Sequence, residues 1–166
     1  MNPRQKRALR WALYGALLFV TLLVQTVVLQ HIRPFGLVPS LMPVALVCVA
    51  MRESAEHAAL CGLLTGLVWC LAGGDCGSLA IVTMTASAAL AALICQAWLN
   101  RNLFSGVLLC LAGLLVVEDG VFLVHLYLGS VVPAAAWTVF LPALGLSILT
   151  SPIYYGLVAA IAKVGR

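Results

Sequence analysis

The sequence predicts an all-α integral membrane protein, a single domain (1–166) of six transmembrane helices with both termini in the cytoplasm. Composition predicts the class. Hydrophobic residues make up 64% of the 166 positions and charged residues 8%, and the mean hydropathy is +1.13. A soluble domain carries about 25% charge, so this chain has too little polar surface to coat a water-exposed globule. The placement of the few charges then predicts how many spans there are and which way they run.

Arg4, Lys6, Arg7 and Arg10 form a basic N-terminal segment (1–10) before the first apolar run, and Lys163 and Arg166 follow the last. Clusters flanking apolar runs act as topology determinants beside anionic lipid. The net charge of +4 therefore points to membrane lipid and not to nucleic acid, because the basic residues form no patch.

Span one is predicted over Trp11–Gln30. A secretory signal peptide also has basic residues before an apolar stretch. The uncharged run here continues to Ile32, too long for an h-region, and has no A-x-A-like cleavage site, so it is expected to be a retained span. "HIRPFGLVPS" supplies a turn, and span two, Leu37–Met51, carries Pro39 and Pro43 near its start. "RESAEH" is the first strongly polar break, with Ser54 a candidate N-cap for span three, Ala55–Ala72. A glycine turn, "GGDCG", leads to span four, Ser78–Leu99.

The remaining third hinges on "LLVVEDGVFLV", which sets Glu118 beside Asp119 in an apolar run. Were "EDG" a loop, residues 102–117 would have to cross alone. They reach about 24 Å at 1.5 Å per residue, short of the roughly 30 Å hydrocarbon core. With both acids inside a span, Leu103–Leu128 is long enough, "GSVVP" makes the turn, and span six is Ala135–Ala162 with Pro142 and Pro152 as kink points. Six spans also place eight of the nine Lys and Arg residues on one side, leaving only Arg33 on the other; seven would move Lys163 and Arg166 across. The four tryptophans, at 11, 69, 98 and 137, all fall near predicted span ends.

An ionised carboxylate at mid-bilayer costs about 2.5–3.5 kcal/mol on insertion scales. Glu118 and Asp119 point about 100° apart on a helix and cannot both face one partner. Three roles are open to them: hydrogen bonding between helices or to a partner subunit, a solute or proton site in the bundle, or placement near the outer interface.

Stripes of small residues give a firmer packing signal. Ala58, Gly62, Gly66 and Cys70 recur every four residues on span three, as do Thr83, Ser87, Ala91 and Cys95 on span four. Gly106, Gly113 and Gly120 recur every seven on span five. Such stripes let backbones approach closely where lipid offers no hydrophobic drive for association. They serve packing within the chain or form a groove for another membrane protein.

No catalytic, cofactor-binding or metal site is predicted, and the chain is not expected to be an enzyme. H-E-x-x-H, G-x-S-x-G and phosphate-loop patterns are missing. The six cysteines are scattered, without a C-x-x-C pair. Glu53 and His57 could share a metal but supply two ligands only. Asp75 and Asp119 could suggest an intramembrane aspartic peptidase, yet Asp75 falls in a loop. His31 and His125 are isolated.

Several short motifs resemble those of the rod shape-determining protein MreD family. "VVLQ" ends span one with Leu29 and Gln30 matching the family's Leu-Gln. "GLVPSL" is similar to its Gly-x-x-Pro-Asp-Leu start of span two through Gly36, Pro39 and Leu41, with Ser40 at the Asp position. "GLLTGLVWC" is similar to its Gly-x-x-x-Gly-Leu-x-x-Asp through Gly62, Gly66 and Leu67, with Cys70 at the Asp position. The glycine turn to Gly77 and "SPIYYGL" also fit. The resemblance implies a non-enzymatic, multi-pass subunit of the bacterial cytoplasmic membrane. It would bind an MreC-like protein and help couple MreB to RodA-type enzymes of cell elongation. The implied fold is similar to that of the substrate-binding subunits of energy-coupling-factor transporters. That similarity makes a vitamin-type transport subunit the second reading. Gln30, Pro39, Gly62, Gly66, Cys70, Glu118 and Asp119 are the candidate partner or packing residues.

Overall fold

The computed structural model describes residues 3–29, 31, 38–72, 77–99, 102–127 and 140–164. Among the described residues every regular element is helical. Helix α1 (Pro3–Leu23) runs directly into a π-helical stretch, Val24–Leu29. It is followed by α2 (Leu41–Ala50), α3 (Ala55–Leu71) and α4 (Gly77–Ala97). Helices α5 (Leu103–Tyr127), α6 (Leu141–Leu149) and α7 (Ser151–Val164) complete the bundle.

Four segments are long and apolar enough to cross a membrane: Arg4–Leu29, Ser78–Ala97, Leu103–Val124 and Leu141–Lys163. Helices α2 and α3 are apolar but shorter. Glu118 and Asp119 lie inside α5, well before its end at Tyr127. The chain is therefore a helical membrane protein with two acids in an apolar helix.

One boundary differs from expectation. Helix α1 starts at Pro3 rather than Trp11, because proline is tolerated in a first helical turn and nothing between it and Trp11 breaks a helix. The last span is broken at Thr150, two residues before the expected kink point Pro152. Pro152 has no N–H to offer the preceding turn, and Thr150 Oγ1 caps the Ser147 carbonyl at 2.7 Å. Pro142, the other expected kink point, sits in the first turn of α6, and the segment before Phe140 lies outside the described residues. The turns expected around Arg33, Asp75, Arg101 and Gly129–Pro133 lie outside the described residues, as do Gln30, Trp137 and Arg166. The side chain of His125 does too.

The centre of the bundle is α2. All ten of its residues are buried, and it touches α1, α3, α4, α5, α6 and α7. A helix apolar on every side has no solvent face and belongs in an interior. At about 15 Å it is half the thickness of the hydrocarbon core, yet the other helices shield it from lipid.

Glycines set the spacing around it. A Cβ on Gly62 would lie 2.8 Å from Met84 O and Thr85 Cα, and one on Gly66 would lie 2.7 Å from Ile81 Cα. The stripe on α3 thus serves a backbone-to-backbone contact with α4, the most extensive helix pairing among the described residues. The seven-residue stripe on α5 is used as well. Added Cβ atoms at Gly106, Gly113 and Gly120 would meet Tyr155 (2.8 Å), Val47 (2.6 Å) and Thr83 (3.1 Å). Ser87, Ala91 and Cys95 of the α4 stripe are buried, and Cys95 Sγ lies 3.6 Å from Met51 O.

Candidate functional site

The first turn of α2 poses an accounting problem. A helix begins with N–H groups that have no partner within it, and inside a membrane no water is at hand to satisfy them. Here each is provided for. Leu41 N and Met42 N both donate to Gln25 Oε1 at 2.9 Å. The next residue, Pro43, has no N–H. Ser40 N donates to Ser147 Oγ at 2.9 Å, and that hydroxyl donates to Ala143 O at 2.8 Å. Two side chains from distant helices thus close the start of the buried helix.

Gln25 is aimed there by local structure. It lies in the π-helical stretch Val24–Leu29 and is buried. A π turn takes an extra residue and rotates the face beyond it; such turns recur at functional positions. On either side, Thr21 Oγ1 bonds Leu17 O and Thr26 Oγ1 bonds Leu22 O, both at 2.8 Å. Such back-bonding hydroxyls tend to bend helices.

Glu118 completes the cluster. Ser40 is the N-cap of α2, yet its hydroxyl makes no capping bond; it donates instead to Glu118 Oε1. Glu118 is half-buried, whereas Asp119 is exposed on α5. The helical step of about 100° sends the two acids to different surroundings. The positive end of the α2 dipole faces this group of oxygens, a favourable arrangement for acceptors. Chemically the cluster anchors a helix start and can carry a proton on Glu118.

A second polar group ties the opposite, basic end. Arg10 Nη2 lies 2.9 Å from Glu53 Oε1 and 3.2 Å from Oε2, linking α1 to the α2–α3 turn. Gln96 Nε2 of α4 donates to Glu53 O at 3.1 Å. The Arg52 guanidinium lies 5.3 Å over the Tyr155 ring, and the Trp11 and His57 rings are 5.5 Å apart. Ser54 is indeed the N-cap residue of α3, but its hydroxyl pairs with His57 Nδ1. Glu53 and His57 are thereby committed to separate partners. Among the described residues no three His, Cys, Asp or Glu side chains converge on a possible metal position.

Of the sequence candidates, Pro39 is buried just ahead of Ser40, and Cys70 is half-buried near the end of α3. Gly62 and Gly66 lie in the α3–α4 contact, away from the cluster, and Gln30 is outside the described residues. Sequence reasoning missed Gln25 and Ser147. The signal for Gln25 was available, as it is a lone amide deep in an apolar run, where polar side chains are costly. Ser147 had no such signal, because single hydroxyls are common in membrane helices.

On the side of the bundle an apolar groove of about 340 Å³ opens between α1 and α3, floored by Met42 of α2. The chain matches no family model, no curated protein and no solved structure, so its functional reading rests on the polar cluster at Ser40 and Glu118 and on the packing that encloses it.

Proposed function

We propose that the protein is a non-enzymatic scaffold subunit of the bacterial cytoplasmic membrane, part of the cell-elongation machinery. In this reading it holds an MreC-like protein and helps link MreB to RodA-type enzymes. The carrying observation is that the interior is filled by α2, whose first-turn donors are taken up by Gln25 and Ser147. A bundle whose central polar groups bond to one another is suited to presenting surfaces to partners. The motif resemblance through Pro39, Leu41, Gly62, Gly66 and Leu67 supports the same reading.

The proposal includes six membrane passes with both termini cytoplasmic, in a fold similar to energy-coupling-factor substrate-binding subunits. Helices α2 and α3 make the two short passes. Arg4, Lys6, Arg7, Arg10, Arg52 and Lys163 then share the cytoplasmic side, as the positive-inside rule requires. Asp119, exposed on α5, is the acid available to a partner, while Glu118 serves within the chain.

A second reading is supported by one observation. Short helix starts in the bundle interior, ringed by polar side chains, are where membrane transporters place solutes, and α2 has such a start. The protein would then be the substrate-binding subunit of a vitamin-type transporter. Co-purification in mild detergent, with mass spectrometry of bound proteins, is the test, paired with solute uptake. Elongation proteins retained by the wild type support the scaffold. Uptake lost in Glu118→Gln with partner binding intact would overturn it in favour of transport.

A further inference from the structure

The groove between α1 and α3 follows one face of α1. Trp11, Tyr14, Gly15, Leu18, Phe19 and Leu22 line it, a run with the three- and four-residue spacing of a single helix face. The stretch from Trp11 to Leu22 measures about 16 Å. Continued toward the N-terminus, the same face carries Arg7 and then Arg4, both exposed. Arg10 lies about 100° from Trp11 on the helix, turned aside to Glu53. An apolar channel lying along α1 thus ends beneath two cations.

On the opposite wall, Leu60, Leu64 and Val68 are exposed beside Thr65 and Cys61. The Trp11–His57 ring contact bridges the two walls at the basic end. Glu56 is the acid in the first turn of α3, and Arg4 with Arg7 leaves the mouth net basic.

We infer that this groove is a binding site for one anionic phospholipid. An acyl chain lies between α1 and α3 against Met42, and the phosphate sits over the Trp11–His57 bridge within reach of Arg7 and Arg4. The apolar walls exclude a polar solute. The cations at one end distinguish a charged headgroup from a neutral one, and a zwitterionic lipid gains less there.

Native mass spectrometry of the full chain in mild detergent, with phosphatidylglycerol or phosphatidylcholine added at equal amounts, tests this. The wild type should retain one phosphatidylglycerol in preference to phosphatidylcholine. Arg4→Gln and Arg7→Gln should each lower that preference about fivefold, the effect of one basic side chain at an anionic surface. Gly15→Trp should abolish retention of both lipids. Gly15 lines the groove and a Cβ there meets nothing within 4 Å, so the added side chain starts from open space. Leu64→Trp, on an exposed position of the other wall, serves if Gly15→Trp does not fold. Equal retention of the two lipids by the wild type would overturn the inference, as would a preference that survives either arginine substitution or both groove-filling variants. A dimer that the filled groove dissociates would overturn it too, by assigning the surface to a second copy of the chain.

Discussion

Ser40, at the start of the buried helix α2, gives its hydroxyl to Glu118 of α5, 78 positions further along the chain. An N-cap serine ordinarily turns back onto its own helix. Here the backbone donors are served by Gln25 and Ser147, which frees the hydroxyl to reach across to another helix. The bond joins the central helix to the one that carries both intramembrane acids.

Removing either end of that bond should have a modest effect. Hydrogen bonds between membrane helices average about 0.6 kcal/mol and reach about 1.7. Glu118→Gln, which keeps an acceptor oxygen, should unfold within a few degrees of wild type in detergent, while Glu118→Leu and Ser40→Ala should both fall lower. Asp119→Asn should not shift the midpoint. A midpoint for Asp119→Asn below that for Glu118→Leu would show that the two acids have been assigned the wrong roles.

Gln25 should matter more than Ser40. Its side-chain oxygen accepts from two backbone N–H groups, and each buried group left unsatisfied costs about 1–3 kcal/mol. Gln25→Leu should therefore lower stability by roughly 2–6 kcal/mol and reduce the folded yield. Gln25→Glu, which retains an acceptor, should recover part of the loss. Equal stability of the two variants, measured by thermal unfolding, would contradict the assignment.

Glycines divide into two groups. Gly62→Leu and Gly66→Leu should separate α3 from α4 and lower the unfolding midpoint, because even a Cβ would press on backbone atoms of α4. Gly156→Ala is the control. Nothing lies within 4 Å of its Cβ position, and alanine in a helix interior is favoured over glycine by about 0.5–1 kcal/mol. Opposite signs for the two classes are expected in one thermal-shift series.

The proposed six passes would place the C-terminus in the cytoplasm. A C-terminal fusion to a reporter active only in the cytoplasm should be active, and one active only outside should be silent. The reverse pattern would move Lys163 across the membrane and leave an odd number of passes.

The sequence by itself determined the class of the protein, most helix positions and the close-packing glycines. These follow from local properties: a scarcity of charge, breaks in apolar runs, and small residues recurring at helical period on α3 and α5. It also placed Glu118 and Asp119 inside a helix and on different faces, since the angle between neighbours is a property of the helix alone. Only the tertiary structure decided which acid turns inward, that α2 lies at the centre, and that Gln25 and Ser147 close its first turn. Helix α2 is apolar on every side, so its periodicity carries no information about what surrounds it. The bonds from Gln25 to Leu41, from Ser40 to Ser147 and from Ser40 to Glu118 join residues 16 to 107 positions apart. Such pairings depend on how helices are arranged across the bundle, and spacing along the chain does not encode that arrangement.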